Sequence, residues 1–315
     1  MKSPILIRKF VNEKSMVDIL NSLQEEGIIE NIKNLVLHDS LDIPVIFGLE
    51  RLKSLETLDC WKCQTYQILN LDKILNLKEI RASANNISNI SYFNNCNNLE
   101  KLNLNGNKKL EIVDGLFNCN SLKFLELSFC NISKLDLHCY FLEELLLKNN
   151  KIREINNINH LRNLKILNLG SSNYTSLIDI NIDTLEEFIL ANSTINDVKV
   201  NSKNLKLVNF HYSHFTNDCK LEISNCSVLD VSFSNFNSTV FNQIKFNEKL
   251  QLLGYSCIEH NDILFSDIIN KFPNILEFEL YKTHFIDYSY NPNNESFEIY
   301  SIKRKTIDED FIEIE

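Results

Sequence analysis

A nine-residue frame, apolar at its first, fourth and sixth positions, can be laid along this chain twelve times. It begins at Ile32, Leu55, Leu77, Leu99, Leu122, Leu142, Leu164, Leu185, Leu205, Cys226, Leu250 and Ile275, so successive copies start 20 to 25 residues apart. The clearest copies are Leu99-Glu-Lys-Leu102-Asn-Leu104-Asn-Gly-Asn107 and Leu142-Glu-Glu-Leu145-Leu-Leu147-Lys-Asn-Asn150. All 36 anchor positions are apolar, where a 44% hydrophobic composition would fill about 16. One copy cannot cover its own apolar face, so a chain of this kind gains stability by stacking neighbours. The alternating fourth to sixth positions form one short strand with apolar side chains inward and the intervening residues outward. The rest of each repeat returns along the back. This predicts an α/β solenoid shaped as a curved horseshoe, with a parallel concave sheet of about 12 short strands and a convex side of turns and short helices.

The central copies continue as Asn150-Lys-Ile152-Arg-Glu-Ile155-Asn-Asn-Ile158-Asn-His-Leu161-Arg-Asn-Leu164. On these residues, residues 32–285 resemble the leucine-rich-repeat family, in its short class of about 22 residues typified by the regulatory subunit of protein phosphatase 1. The resemblance implies a non-catalytic scaffold for protein–protein interaction and a phosphatase as a partner. Function still has to be argued from a site, because the repeat reports a scaffold.

The ninth frame position holds Ser40, Cys63, Asn85, Asn107, Cys130, Asn150, Ser172, Ser193, Ser213, Ser234, Ile258 and Thr283. Most are small polar groups able to bond the backbone that leaves the strand. Ile258 cannot, and its long repeat predicts irregular geometry there. Asparagine outside this ladder, as in Asn94-Asn95-Cys96-Asn97-Asn98, reads as composition bias. Three segments follow. Residues 1–31 form a capping segment with one helix, marked by Ser15 and Asp18, by Met16, Ile19, Leu20 and Leu23 at helical spacing, and by Gly27 as a stop. Residues 32–285 form the solenoid, with a late helix over 262–271 stopped by Pro273. Residues 286–315 form a cap or mobile tail, with a turn at Asn291-Pro-Asn-Asn and a strand over 297–302.

With 32 basic and 42 acidic residues the net charge is −10, and no long Lys/Arg run offers a footprint for nucleic acid or an anionic membrane. The six glycines are too scattered for either phosphate-cradling loop, and no HExxH, GxSxG or kinase signature occurs. The expectation is therefore no enzyme and no cofactor. Residues 1–17 carry Lys2, Arg8, Lys9 and Lys14 around a short apolar stretch, unlike a signal peptide, and no apolar run spans a bilayer. Cys60-x-x-Cys63 has the spacing of a redox or zinc pair, but the frame explains both residues as the sixth and ninth positions. Cys96, Cys119 and Cys139 each fall three residues before an anchor, in a slot otherwise apolar. Such cysteines read as reduced core thiols, which suits a cytoplasmic or nuclear protein. His211-Tyr-Ser-His214 lacks a third ligand and is expected to diverge, so no metal is expected.

The informative surface is the concave one, made of the third, fifth, seventh and eighth frame positions. Its acids are Asp39, Asp59, Glu79, Glu126, Glu144, Glu187, Asp230, Glu277 and Glu279, against basic Lys62, Arg81, Lys101, Lys148 and Lys282. Its aromatic members include Trp61, Phe124, Phe129, Tyr212, Phe233 and Tyr281. Large rings on an uncovered sheet face suit binding hot spots. The residues expected to bind a partner are Trp61, Phe129, Tyr212, Phe233 and Tyr281, with Asp59, Glu79, Glu126, Glu144, Glu187 and Asp230. The expected partner is a protein with a basic, partly apolar face, not nucleic acid and not a membrane. Two other readings stay open: a spliceosome-type leucine-rich-repeat subunit that holds an RNA-binding protein, and a secreted or surface adhesion protein.

Overall fold

Three residues per repeat suffice for a strand when the neighbouring repeats supply its hydrogen bonds and the alternation sends the middle residue inward. The computed structural model describes residues 7–10, 15–37, 42–155, 158–224, 226–244, 248–258, 262–280, 300–304 and 311–314. They belong to two compact units, residues 1–152 with 156–164, and residues 153–155 with 165–315.

In the amino-terminal unit, the repeat strands Asn34–Leu37, Thr57–Asp59, Glu79–Arg81, Lys101–Asn103, Phe124–Glu126 and Glu144–Leu146 pair in parallel in chain order. Leu35, Leu58, Ile80, Leu102, Leu125 and Leu145 lie opposite one another along that sheet. Ile7–Phe10 adds in parallel beside the first strand. The carboxyl-terminal unit repeats the arrangement with Ile166–Asn168, Glu187–Ile189, Leu207–Asn209, Val228–Asp230, Leu252–Gly254 and Glu277–Leu280. Tyr300–Arg304 and then Phe311–Ile314 extend this second sheet antiparallel. Every one of the 36 anchors is buried, none more than 3% exposed.

The ninth-position ladder works as its chemistry requires. Asn107 accepts the Ile87 N–H at 2.9 Å and donates to the carbonyls of Ala82 and Leu104. Asn85 and Asn150 make the equivalent bonds, and Ser213 donates to the Leu190 carbonyl. Part of the asparagine excess outside this ladder has a structural role. Asn76, Asn98, Asn163, Asn204 and Asn274 stand just before five of the twelve first-position anchors, and each donates its side-chain amide to a carbonyl of the preceding repeat at 2.7–3.2 Å. They form a second ladder where the chain comes round to re-enter the sheet.

The second frame position carries a further column. Lys33, Glu56, Lys78, Glu100, Lys123, Glu143, Lys165, Glu186 and Lys206 alternate in sign through nine consecutive repeats. Within each unit, successive members are one backbone hydrogen bond apart, as in Glu56 N–H to Lys33 O and Lys206 N–H to Glu186 O, both 2.8 Å. Their side chains pair accordingly: Lys33–Glu56 at 2.7 Å, Lys78–Glu56 at 4.0 Å and Lys206–Glu186 at 2.5 Å.

The returns along the back use strand more than helix. Val45–Ile46 pairs with Gln67–Ile68, and Ile112–Gly115 with Lys134–Leu137. Ile178–Asn181, Thr194–Asn201 and His214–Ile223 form a three-stranded parallel sheet in the carboxyl-terminal unit. In the solenoid, α-helix occurs only where the repeats are longest among the described residues, as Ser238–Gln243 and Phe265–Lys271. The extra length at Ile258 goes into the second of these helices. The sheet stays regular, because Leu252–Gly254 keeps full register with both neighbours. That helix begins at Phe265 rather than 262, since the Asp262 carboxylate is engaged by the N–H of Ser238 at 2.7 Å and by its hydroxyl. At the other end, helix Met16–Glu25 is capped by Ser15, whose hydroxyl accepts the Asp18 N–H, and it buries Met16, Ile19, Leu20 and Leu23.

Candidate interaction surface

The turn that leaves each strand sets the geometry of the exposed face. At all ten described eighth positions the backbone is left-handed, with φ between 51° and 74°. These residues are Lys62, Ala84, Gly106, Phe129, Asn149, Ser171, Asn192, Tyr212, Phe233 and Cys257. Eight of these N–H groups continue the sheet by donating to the seventh residue of the next repeat, as Tyr212 does to Ser232 and Phe129 to Lys148. Gly and Asn tolerate this conformation, whereas other L-residues pay about 1 kcal/mol for it. Three of the expected binding residues, Phe129, Tyr212 and Phe233, stand here. They project from the turn at the strand exit, not from the strand itself.

The fifth position closes the same turn. A side-chain oxygen of Asp59, Asn103, Glu126, Asn168, Asn209 and Asp230 accepts the N–H two residues on, at 2.8–3.3 Å. Asp59, Glu126 and Asp230 therefore have a structural duty that acid and amide perform alike.

In the amino-terminal unit the described residues of the face are charge-balanced. Asp59, Glu79, Glu126 and Glu144 share it with Lys62, Arg81, Lys101 and Lys148. Arg81 lies between two of the acids, 2.8 Å from Glu79 and 3.9 Å from Asp59, and these carboxylates hold its guanidinium above the usual arginine range. Trp61 is 37% exposed with the Lys62 ammonium 4.4 Å from its ring centre, and Phe129 is 43% exposed with Lys148 at 6.0 Å.

The carboxyl-terminal unit differs. Its face carries Glu187, Asp230, Glu277 and Glu279, with no Lys or Arg at these frame positions among the described residues. Between the acids lie half-buried Ile166, Ile189, Leu207, Val228 and Leu252. Tyr212, 57% exposed, stacks on Phe233 with centroids 4.6 Å apart and planes at 28°. His211 meets both rings, at 4.5 and 5.0 Å. Asp39, Tyr281 and Lys282 lie outside the described residues.

Nothing in the cysteine pattern assembles a site. None of the nine forms a disulfide, and eight are buried. Burial pushes the Cys60 thiol well above its usual range, and those of Cys96, Cys139 and Cys219 to about 12. His211 and His214 separate, the first on the exposed face and the second opening the back strand His214–Ile223. One group of metal-binding residue types does gather, on the back of the amino-terminal unit: Asp114, Asp136 and His138, with ligand atoms within 4.8 Å of one another. The ring of His138 is stacked on Phe117 at 4.3 Å. Sequence reasoning missed this group because Asp114 and Asp136 become neighbours only through pairing of the back strands. No helix of the described residues is long and apolar enough to cross a membrane.

Twelve frames, 36 buried anchors, parallel strands in register and a polar ladder at the ninth position together decide the architecture. The fold is a leucine-rich-repeat solenoid. Among solved structures it is similar to a chain of the TLR13–ssRNA13 complex, with TM-score 0.59 and 15% identity, over 86% of this chain and 49% of that one. The present chain thus spans about half of that protein. It also matches an internalin from Listeria monocytogenes, at TM-score 0.49 and 17% identity over 85% of this chain and 94% of that one. A further match lies in the octameric complex of Latrophilin 3, Unc5D and the leucine-rich-repeat protein FLRT2, at TM-score 0.49 and 19% identity over 75% and 77%. No family model and no curated protein matches the chain.

Proposed function

We propose that this leucine-rich-repeat chain is a non-catalytic scaffold that binds a protein partner through the exposed strand face and the turns bordering it. The observation that carries the reading is the placement of Phe129, Tyr212 and Phe233. Each holds a large, partly exposed ring at a left-handed backbone position where Asn149 and Asn192 do the same structural work. Folding gains nothing from a ring at the cost of strain, whereas a buried aromatic is what dominates protein interfaces. The acidic face of the carboxyl-terminal unit favours a basic protein over a polyanion.

Because Asn already occupies this turn, Phe129→Asn with Tyr212→Asn should leave the melting temperature within about 2 °C of the parent. The same variant should lose the partners that the parent captures from its own cell extract, while a back substitution, Tyr140→Ser, keeps them. Equal recovery by all three proteins would overturn the assignment to this face. The resemblance to the phosphatase regulatory subunit makes a purified phosphatase catalytic subunit the first defined partner to titrate.

A further inference from the structure

The back of the amino-terminal unit carries a group of side chains that the exposed strand face does not use. Its strands Ile112–Gly115 and Lys134–Leu137 pair in parallel with Asp114 directly opposite Asp136. Alternation buries Gly115 and Leu137, while Asp114, Asp136 and, two residues further on, His138 come to one side. Like charges directly opposite one another destabilise a sheet. Among the described residues no Lys or Arg nitrogen comes within 4.0 Å of either carboxylate to relieve them. The group that does approach is the His138 ring, with Nε2 3.7 Å from Asp136 Oδ1, beyond hydrogen-bond range.

The next repeat shows what the fold alone asks of a histidine here. His160, like His138 four residues before its anchor, bonds the Leu137 carbonyl of the preceding repeat through Nε2 at 2.9 Å. His138 makes no such bond among the described residues. Its ring lies on Phe117 instead, with centroids 4.3 Å apart and planes at 23°. One ligand atom from each of His138, Asp114 and Asp136 lies within 4.8 Å of the others. Two ligands on a tetrahedral ion, at bonds of about 2.1 Å, are about 3.4 Å apart, a spacing that rotation of the two exposed carboxylates supplies.

We propose that Asp114, Asp136 and His138 bind one divalent transition-metal ion of the zinc type, which ties two consecutive repeats together across the back. The donor set selects the class. An imidazole nitrogen favours zinc and its first-row neighbours over Mg²⁺ and Ca²⁺, which take oxygen, and two carboxylates match the charge of a dication. Three protein ligands leave the fourth position to water. Asp114 comes from one strand and Asp136 and His138 follow from the next, so the ion turns a repulsion between the strands into a link. The site holds or falls independently of the scaffold reading.

Calorimetric titration of the full chain with Zn²⁺, after removal of metal by a chelator, tests this. One equivalent should bind, and the melting temperature should rise with Zn²⁺ concentration, because a ligand held only by the folded state stabilises it. Mg²⁺ and Ca²⁺ at the same concentrations should do neither. His138→Phe keeps a ring to stack on Phe117 and removes the nitrogen, whereas Asp114→Asn keeps the size and removes the charge. Each should weaken Zn²⁺ binding about tenfold or more. Without metal, Asp114→Asn should melt no lower than the parent, since it ends the repulsion, so its loss of binding is not a loss of fold. His214→Gln, an exposed histidine of the other unit, should leave the affinity unchanged. Binding that survives both substitutions in the site, binding that His214→Gln removes, an equal response to Mg²⁺ or Ca²⁺, or no binding up to about 100 μM Zn²⁺ would each overturn the proposal.

Discussion

At the eighth residue of each described repeat the backbone fixes what a side chain costs before packing has any say. Ala84 is exposed, has φ 54° and offers no ring or charge in return, whereas Gly106 sits in the same conformation at φ 74°. Ala84→Gly is expected to raise stability by about 0.5–1 kcal/mol and Gly106→Ala to lower it by a similar amount. Chemical denaturation checks both, and a fall in stability for Ala84→Gly would contradict the turn geometry. This position was illegible in the sequence, because the Gly and Asn that usually mark a left-handed turn appear there only as Gly106, Asn149 and Asn192 among Lys, Phe, Tyr and Ser. The binding role proposed for Phe129, Tyr212 and Phe233 starts, in the sequence, from their size. Its physical ground, ring exposure combined with backbone strain, needed the dihedral angles.

Strands and returns were legible to different degrees. The frame locates every repeat strand, because burial of three anchors in nine residues leaves one register open. The returns depend on which backbone partner the neighbouring repeat offers. Thr194–Asn201 and His214–Ile223 become strands by pairing with each other, where turns or short helix were the expectation. The charge column at the second position lay in plain view in the sequence and is seen only when repeats are stacked. Its member Glu56 has its carboxyl held below the usual range chiefly by the hydrogen bond from Lys33 and by the charges of Lys33 and Lys78. A depressed carboxylate stabilises the fold above its unfolded-state pKa, and that contribution is lost as the pH falls through its folded-state value. The pair is about a third exposed, at 40% and 35%, so solvent screening limits it to a few tenths of a kcal/mol. The melting temperature of the parent should therefore exceed that of Glu56→Gln near pH 6 and converge with it near pH 3. A constant gap across that range would show that the column contributes nothing electrostatic.

For the molecule as a whole, the net charge of −10 describes neither unit's exposed face. At the described frame positions one carries four acids and four bases and the other carries acids without Lys or Arg, a division that a tally over the chain averages away. The alternating column imposes a different kind of order. Excising residues 77–98, one repeat, would set Glu56 beside Glu100, whereas excising residues 77–121, two repeats, would set it beside Lys123. Like charges on adjacent strands repel and salt screens them, so added salt should stabilise the first deletion and leave the second unchanged. Should either deletion fail to fold, Glu100→Lys in the full chain places three lysines in succession and should show the same rescue by salt. An identical salt response in all these proteins would sink the argument. Where it holds, the sheet has a parity: repeats are interchangeable only in twos, and a lineage of such chains would lengthen or shorten by even steps through this region.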